Sequence, residues 1–184
     1  MSTKAKSNKN KSLNSRQSVD QAVKSICDIM RRGNVTSAVQ YIPELTWILF
    51  LRVLDETEQQ EQIEAEALGI TLKQSLVAPY RWRDWADPGD KNAEPPQAMG
   101  EKRQELENGS SGDIFAFVNE QLIPYLKGLE NKPDATVRQK VISEIISGVD
   151  RVRIDTERNF LDVLDRVHKL SHAAIDKTHV FSLS

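Results

Sequence analysis

"MRRGNVTSAVQYIPELTWILFLRVLDE", residues 30–56, decides how the rest of the chain is read. A polar turn broken by Gly33 leads into Tyr41–Leu54, where ten of fourteen residues are apolar, and the stretch then becomes acidic. Its apolar side chains fall at helical spacing into two stripes. Ile42, Leu45, Ile48, Leu49 and Val53 make one; Trp47, Phe50, Leu51 and Leu54 make the other. A helix apolar on two faces packs on more than one side, so this one is expected to be the hub of a bundle. Proline is tolerated only near a helix start, which places the regular helix from about Pro43, with Ser37 capping a short first turn. Beyond Arg52 come Asp55, Glu56, Glu58, Glu61, Glu64 and Glu66, with no basic residue before Lys73. That half is expected to project into solvent or toward a basic partner.

Working outward, helical periodicity continues on both sides. Upstream, Ser18 is a candidate N-cap, followed by Val19, Val23, Ile26, Ile29 and Met30 on one face, with Gly33 as the stop. Downstream, residues 69–113 are punctuated by glycines and prolines and lack sustained periodicity. They read as a long irregular loop with one short helical turn at "PYRWRDWADPGD", packed back through Trp82 and Trp85. Helices resume after a cap at Ser111 or Asp113, with a kink expected at Pro124. Asp134 is the expected cap of the next, a helix through Val137, Val141, Ile142, Ile145 and Ile146 that stops near Gly148. Thr156 or Asp155 caps the last, which buries Phe160, Leu161, Val163, Leu164, Val167 and Leu170. Only "VDRVRID" (149–155) alternates like a strand. The fold class is therefore all-α: a compact helical bundle over 17–180 with a flexible, disordered basic arm at 1–16.

Charge is distributed unevenly along the 184 residues. Residues 1–16 hold Lys4, Lys6, Lys9, Lys11 and Arg16 with no acid, leaving 20 basic against 27 acidic residues over 17–184, a net of −7. Such an arm has too little apolar surface to order itself. It serves either as a solubilising tail or as a counterion-releasing contact to nucleic-acid phosphate held nearby by a partner. No apolar run, Trp47–Leu51 included, is long enough to cross a bilayer, and no apolar core follows the N-terminal lysines as in a secretory signal. One cysteine, Cys27, allows no intrachain disulfide and suits the reducing cytoplasm.

Catalytic patterns are missing from the residues themselves. Neither a G-x-G-x-x-G nor a G-x-x-x-x-G-K-[ST] phosphate loop occurs. His168 and His172 share helical spacing suited to one metal, but lack the H-E-x-x-H glutamate and are expected to cap carbonyls or face water. Asp162 and Asp165 read as a solvated face. "NAEPPQ" (92–97) separates its Asn from the proline pair and ends in Gln where an adenine methyltransferase motif has an aromatic ring, so it reads as a loop.

The stretch "ICDIMRRGNVTSAVQYIPELTWILFLRVLDE" resembles the N-terminal helical domain of the methylation (M) subunit of type I restriction–modification systems. That family pairs an Arg-Gly-Asn turn and a Tyr-containing segment with a Leu-rich helix that carries Phe-Leu and closes on an acid. Arg32, Gly33, Asn34, Tyr41, Leu49, Phe50, Leu51 and Asp55 stand in those places. "WRDW" and "RVRIDTERNFLDVLDRVHKL" are similar to later segments of the same domain. The resemblance implies a non-catalytic accessory domain of a DNA adenine-N6 methyltransferase. Its cofactor, S-adenosylmethionine, is expected to bind a catalytic domain after Ser184, with no cofactor or metal ligand in this chain. Implied partners are DNA in the assembled complex, a specificity subunit, a second methylation subunit and a restriction subunit. Candidate contacts are Lys4, Lys6, Lys9, Lys11 and Arg16 in the arm, Arg31, Arg32 and Asn34 at the turn, and the basic-aromatic group Arg81, Trp82, Arg83 and Trp85. The alternative from another class is a stand-alone helical adaptor docking through its acidic helix.

Overall fold

The computed structural model of the chain describes residues 16–33, 35 and 37–170. Helix α1 (Arg16–Arg32) starts two residues before Ser18, the cap expected for it, and buries Val19, Ile26, Ile29 and Met30 along one stripe. Gly33 ends it, donating its N–H to the Ile29 carbonyl at 2.9 Å. The glycine is required by close approach: a Cβ there would stand 2.9 Å from Ile154 Cγ2. Helix α2 (Ala38–Ala67) begins five residues earlier than Pro43 and carries that proline inside its second turn. Leu45, Trp47, Ile48, Leu49, Leu51 and Leu54 are buried, and the helix packs against α1, against the tryptophan turn and against the last helix. The two stripes thus make it the hub.

The acidic half of α2 departs from expectation. It is held by basic groups of the same chain. Asp55 takes Arg83 Nε at 3.0 Å, Glu56 takes Arg52 at 3.0 Å, and Glu61 takes Arg138 at 2.7 Å. Glu58 is buried, accepting from the Ser75 hydroxyl at 2.7 Å and the Ser75 N–H at 3.1 Å. Only Glu64 and Glu66 meet no cation among the described residues; Gln60 and Gln62, one turn earlier, donate to them.

The 69–113 segment is more ordered than a loop. Helix α3 (Trp82–Trp85) is the expected short turn, with both indoles buried. Helix α4 (Glu101–Asn108) was not expected. It is anchored by a buried arginine, Arg103, whose Nη1 donates to the Ala86 carbonyl at 2.7 Å and lies 2.6 Å from Asp165. Between them, Asp90 and Gln97 exchange two backbone hydrogen bonds of 2.8 Å, closing "NAEPPQ" into a tight loop.

Helix α5 (Asp113–Phe117) follows Gly112, and the expected kink takes the form of a π turn (Val118–Leu122) just ahead of α6 (Ile123–Gly128), where Pro124 lacks a donor. A short 3₁₀ turn (Leu129–Asn131) leads on toward α7 (Val137–Ile146). Its cap is Thr136, in a reciprocal box with Gln139, while Asp134 instead pairs with Lys73 at 2.7 Å. Ile142 and Ile146 are buried, while Val137, Val141 and Ile145 face outward. Helix α8 (Glu157–His168), capped by Thr156, buries Phe160, Val163, Leu164 and Val167 against α1 and α2. No strand forms among the described residues. "VDRVRID" is a connector, and its backbone ties three elements together.

Candidate nucleic-acid interface

The connector between α7 and α8 alternates in a way its sequence spells out. Val152 and Ile154 point into the core, while Arg151 and Arg153 point out. Three of its N–H groups are anchored on different elements. Val152 donates to Asn119 Oδ1 at 2.8 Å, Arg153 to Glu44 Oε2 at 3.1 Å, and Asp155 to the Gly33 carbonyl at 3.0 Å. The last bond locks the connector to the end of α1. Arg31, Arg32, Arg151 and Arg153 are all exposed on these two joined segments.

Beside them a cleft of about 500 Å³ opens between the first turns of α2 and the connector. Gln40, Glu44 and Trp47 line one wall; Asp150, Arg151 and Arg153 line the other. Glu44 is 3 % exposed, and its second oxygen accepts from Trp47 Nε1 at 3.0 Å. Burial outweighs both hydrogen bonds and pushes its pKa up to about 7, so near neutrality much of its negative charge is absent. Asp150 is shared at long range by Lys127 (3.8 Å) and Arg153 (4.0 Å). Arg32 and Arg151 form no ion pair among the described residues. Arg31 is partly engaged, bonded to Asp28 at 2.7 Å and stacked 5.3 Å over the Tyr41 ring. Each exposed guanidinium can hold an anionic oxygen.

The second expected group comes apart. Trp82 and Trp85 are 1 % and 0 % exposed, so the fold offers neither indole to a ligand. Trp82 Nε1 donates to His168 Nδ1 at 3.0 Å, and His168 Nε2 lies 3.4 Å from Asp87, so the half-buried imidazole bridges two side chains and caps no carbonyl. Arg81 grips Asp84 through two bonds of 2.8 and 2.9 Å, and Arg83 is held by Asp55. This cluster is an internal clamp. It also lies at the opposite end of α8 from Asp155, about 17 Å along the axis. Lys4, Lys6, Lys9, Lys11, Asn34 and His172 lie outside the described residues. Arg16 opens α1, about 24 Å from the turn, and its side chain is likewise outside them. No group of three metal-ligating side chains forms among the described residues, and none of their helices is long and apolar enough to cross a membrane.

The profile of the HsdM N-terminal domain matches residues 19–167, which takes in the turn, the cleft and both tryptophans. The chain belongs to that family. This HsdM N-terminal domain is 27 % identical over 167 residues to the methylase subunit of the type I restriction enzyme EcoEI from Escherichia coli, covering 89 % of the chain and 29 % of that protein. Its fold is similar to that of a modification subunit, ascribed to a type I restriction enzyme, from Vibrio vulnificus YJ016. There the TM-score is 0.60 at 25 % identity, over 84 % of this chain and 31 % of the other. A chain from a structure of complex assembly and conformational transition in the type I R-M system matches with a TM-score of 0.61 and 27 % identity, over 86 % of this chain and 27 % of that one. The HsdM domain thus spans about a third or less of the relatives it matches.

Proposed function

We propose that this domain is the non-catalytic accessory part of a type I methylation subunit whose remaining portion carries S-adenosylmethionine-dependent adenine-N6 methylation. Its role is to help close the assembled enzyme around DNA and to contact the specificity, restriction and second methylation subunits. The observation that carries this reading is the family match over 19–167, which covers the fold and no catalytic motif. We assign the phosphate-facing surface to Arg31, Arg32, Arg151 and Arg153, with the N-terminal lysines as a second, separate contact. Phosphate contacts position a protein on a duplex without reading sequence, and exposed arginines are suited to them.

An acidic body binds a polyanion poorly alone, so affinity comes mainly from the assembly. In a low-salt gel shift, residues 1–184 bind duplex weakly, and deletion of 1–16 weakens binding further. Tight, salt-resistant binding by the truncated body contradicts the proposal. The stand-alone adaptor reading rests on a free acidic helix, and most of that acid is instead bonded within the chain: Asp55, Glu56, Glu58 and Glu61 have basic partners, which leaves Glu64 and Glu66.

A further inference from the structure

Among the described residues that wall the cleft between α2 and the connector, four carry ionisable charge: Glu44 on one side, and Asp150, Arg151 and Arg153 on the other. Asp150 is exposed, and its charge is shared by Lys127 of α6 and Arg153. Across the bond from Asp155 to Gly33, the end of α1 adds Arg31, which is paired with Asp28, and the exposed Arg32. Asp155 itself faces water. Glu44 differs from all of these. It is buried, and both its oxygens accept from neutral N–H groups, Oε1 from the Trp47 indole and Oε2 from the Arg153 backbone. No side-chain cation forms an ion pair with it among the described residues, although the Arg153 charge acts on it through space.

A carboxylate so placed has given up water for two neutral donors, and burial is the larger effect. Its proton therefore leaves near neutrality, at about 7. Across that range the cleft wall changes charge by one unit while Arg151 and Arg153 stay cationic. A phosphate held by these arginines repels an ionised Glu44, whereas the neutral acid carries no such charge and gains an O–H donor. We infer that Glu44 is a proton switch for the phosphate-facing surface: duplex binds Arg151 and Arg153 most tightly while Glu44 is protonated, and binding draws a proton onto it. By reciprocity, bound phosphate strengthens the carboxyl's hold on its proton. The extra affinity is complete below about pH 7 and is lost as pH rises through the higher value of the complex. The inference rests on the assignment of this surface to DNA phosphate.

The test measures affinity of the chain for a DNA duplex in low salt at pH 6 and pH 8, and the protons exchanged on binding. Phosphate that strengthens the hold of Glu44 on its proton tenfold makes binding about fivefold tighter at pH 6 than at pH 8. Glu44→Gln, neutral at both values, shows a ratio under twofold. Calorimetry at pH 7 in two buffers of different ionisation enthalpy reads uptake of about 0.4 proton per bound wild-type domain. A wild-type ratio under twofold, or no proton uptake, overturns the inference, and neither reading depends on a variant that folds. A Glu44→Gln protein that keeps the fivefold ratio also overturns it and gives the titration to another group. Wild-type affinity in Arg151→Ala/Arg153→Ala overturns the phosphate-facing assignment itself, and the inference with it. Weakened binding by that pair, beside a flat pH profile of the wild type, overturns the inference alone.

Discussion

Glu44 shows how a single side chain joins fold and site. Its carboxylate ties α2 to the backbone of the arginine connector, from within a cleft wall. Its pKa of about 7 in the fold stands above the ordinary 4.5, so the folded protein holds a proton there that the unfolded chain has lost. Stability from this group is full below about pH 4.5 and is lost as pH rises through 7, a ceiling of about 3 kcal/mol at 1.36 kcal/mol per pH unit. His168 acts in the other direction. Burial first, then Arg52, lowers its pKa, so its contribution is present above about 6.5 and lost on acidification. Glu44→Gln therefore helps stability more at pH 8 than at pH 5, as measured by chemical denaturation at both. An equal effect at the two values contradicts the assignment. None of this was legible in the sequence, where Glu44 is one acid in an apolar run. Nor was the fate of Arg81 and Arg83: a basic-aromatic cluster reads alike whether its indoles stack on a ligand or fill a core. The Arg-Val-Arg-Ile alternation carries the inside–outside code of Arg151 and Arg153, but the same spacing is that of a strand.

At the scale of elements, periodicity located most helices because each buries a stripe of large aliphatics. α4 escaped because "EKRQELEN" has a single large apolar residue, Leu106, and its other anchor is a charge. Arg103 enters the core by donating to the Ala86 carbonyl and pairing with the Asp165 carboxylate, a solution that hydrophobic pattern cannot predict. Arg103→Met keeps the packing volume and removes those bonds. With Asp165 partly open to water, the expected loss is about 2 kcal/mol, below the ~3–5 kcal/mol of a fully buried pair. Unfolding by urea checks it, and a loss under about 0.5 kcal/mol contradicts an anchoring role. In α7 the buried face is not legible from spacing. Branched aliphatics occur on both its faces, and spacing alone does not say which face meets the core. The acid-rich half of α2 looked solvated because its cationic partners, Arg83 and Arg138, are distant in sequence.

Over the whole molecule, the sequence reading of an all-α domain with a doubly packed central helix agrees with the structure, and the matched family covers residues 19–167. What the chain alone concealed is how its surface divides. The end of α1 and the connector carry four exposed arginines, while exposed aliphatics lie on the end of α2 and the outside of α7. In the proposed clamp the arginine surface is the one that faces phosphate. The decisive measurement is the salt dependence of duplex affinity for the chain, compared with Arg151→Ala/Arg153→Ala. Each phosphate contact contributes about 0.9 to the slope of log affinity against log salt. Loss of both arginines is predicted to flatten that slope by about 1.8, uniformly across DNA sequences. A variant with the wild-type slope contradicts the phosphate-facing assignment.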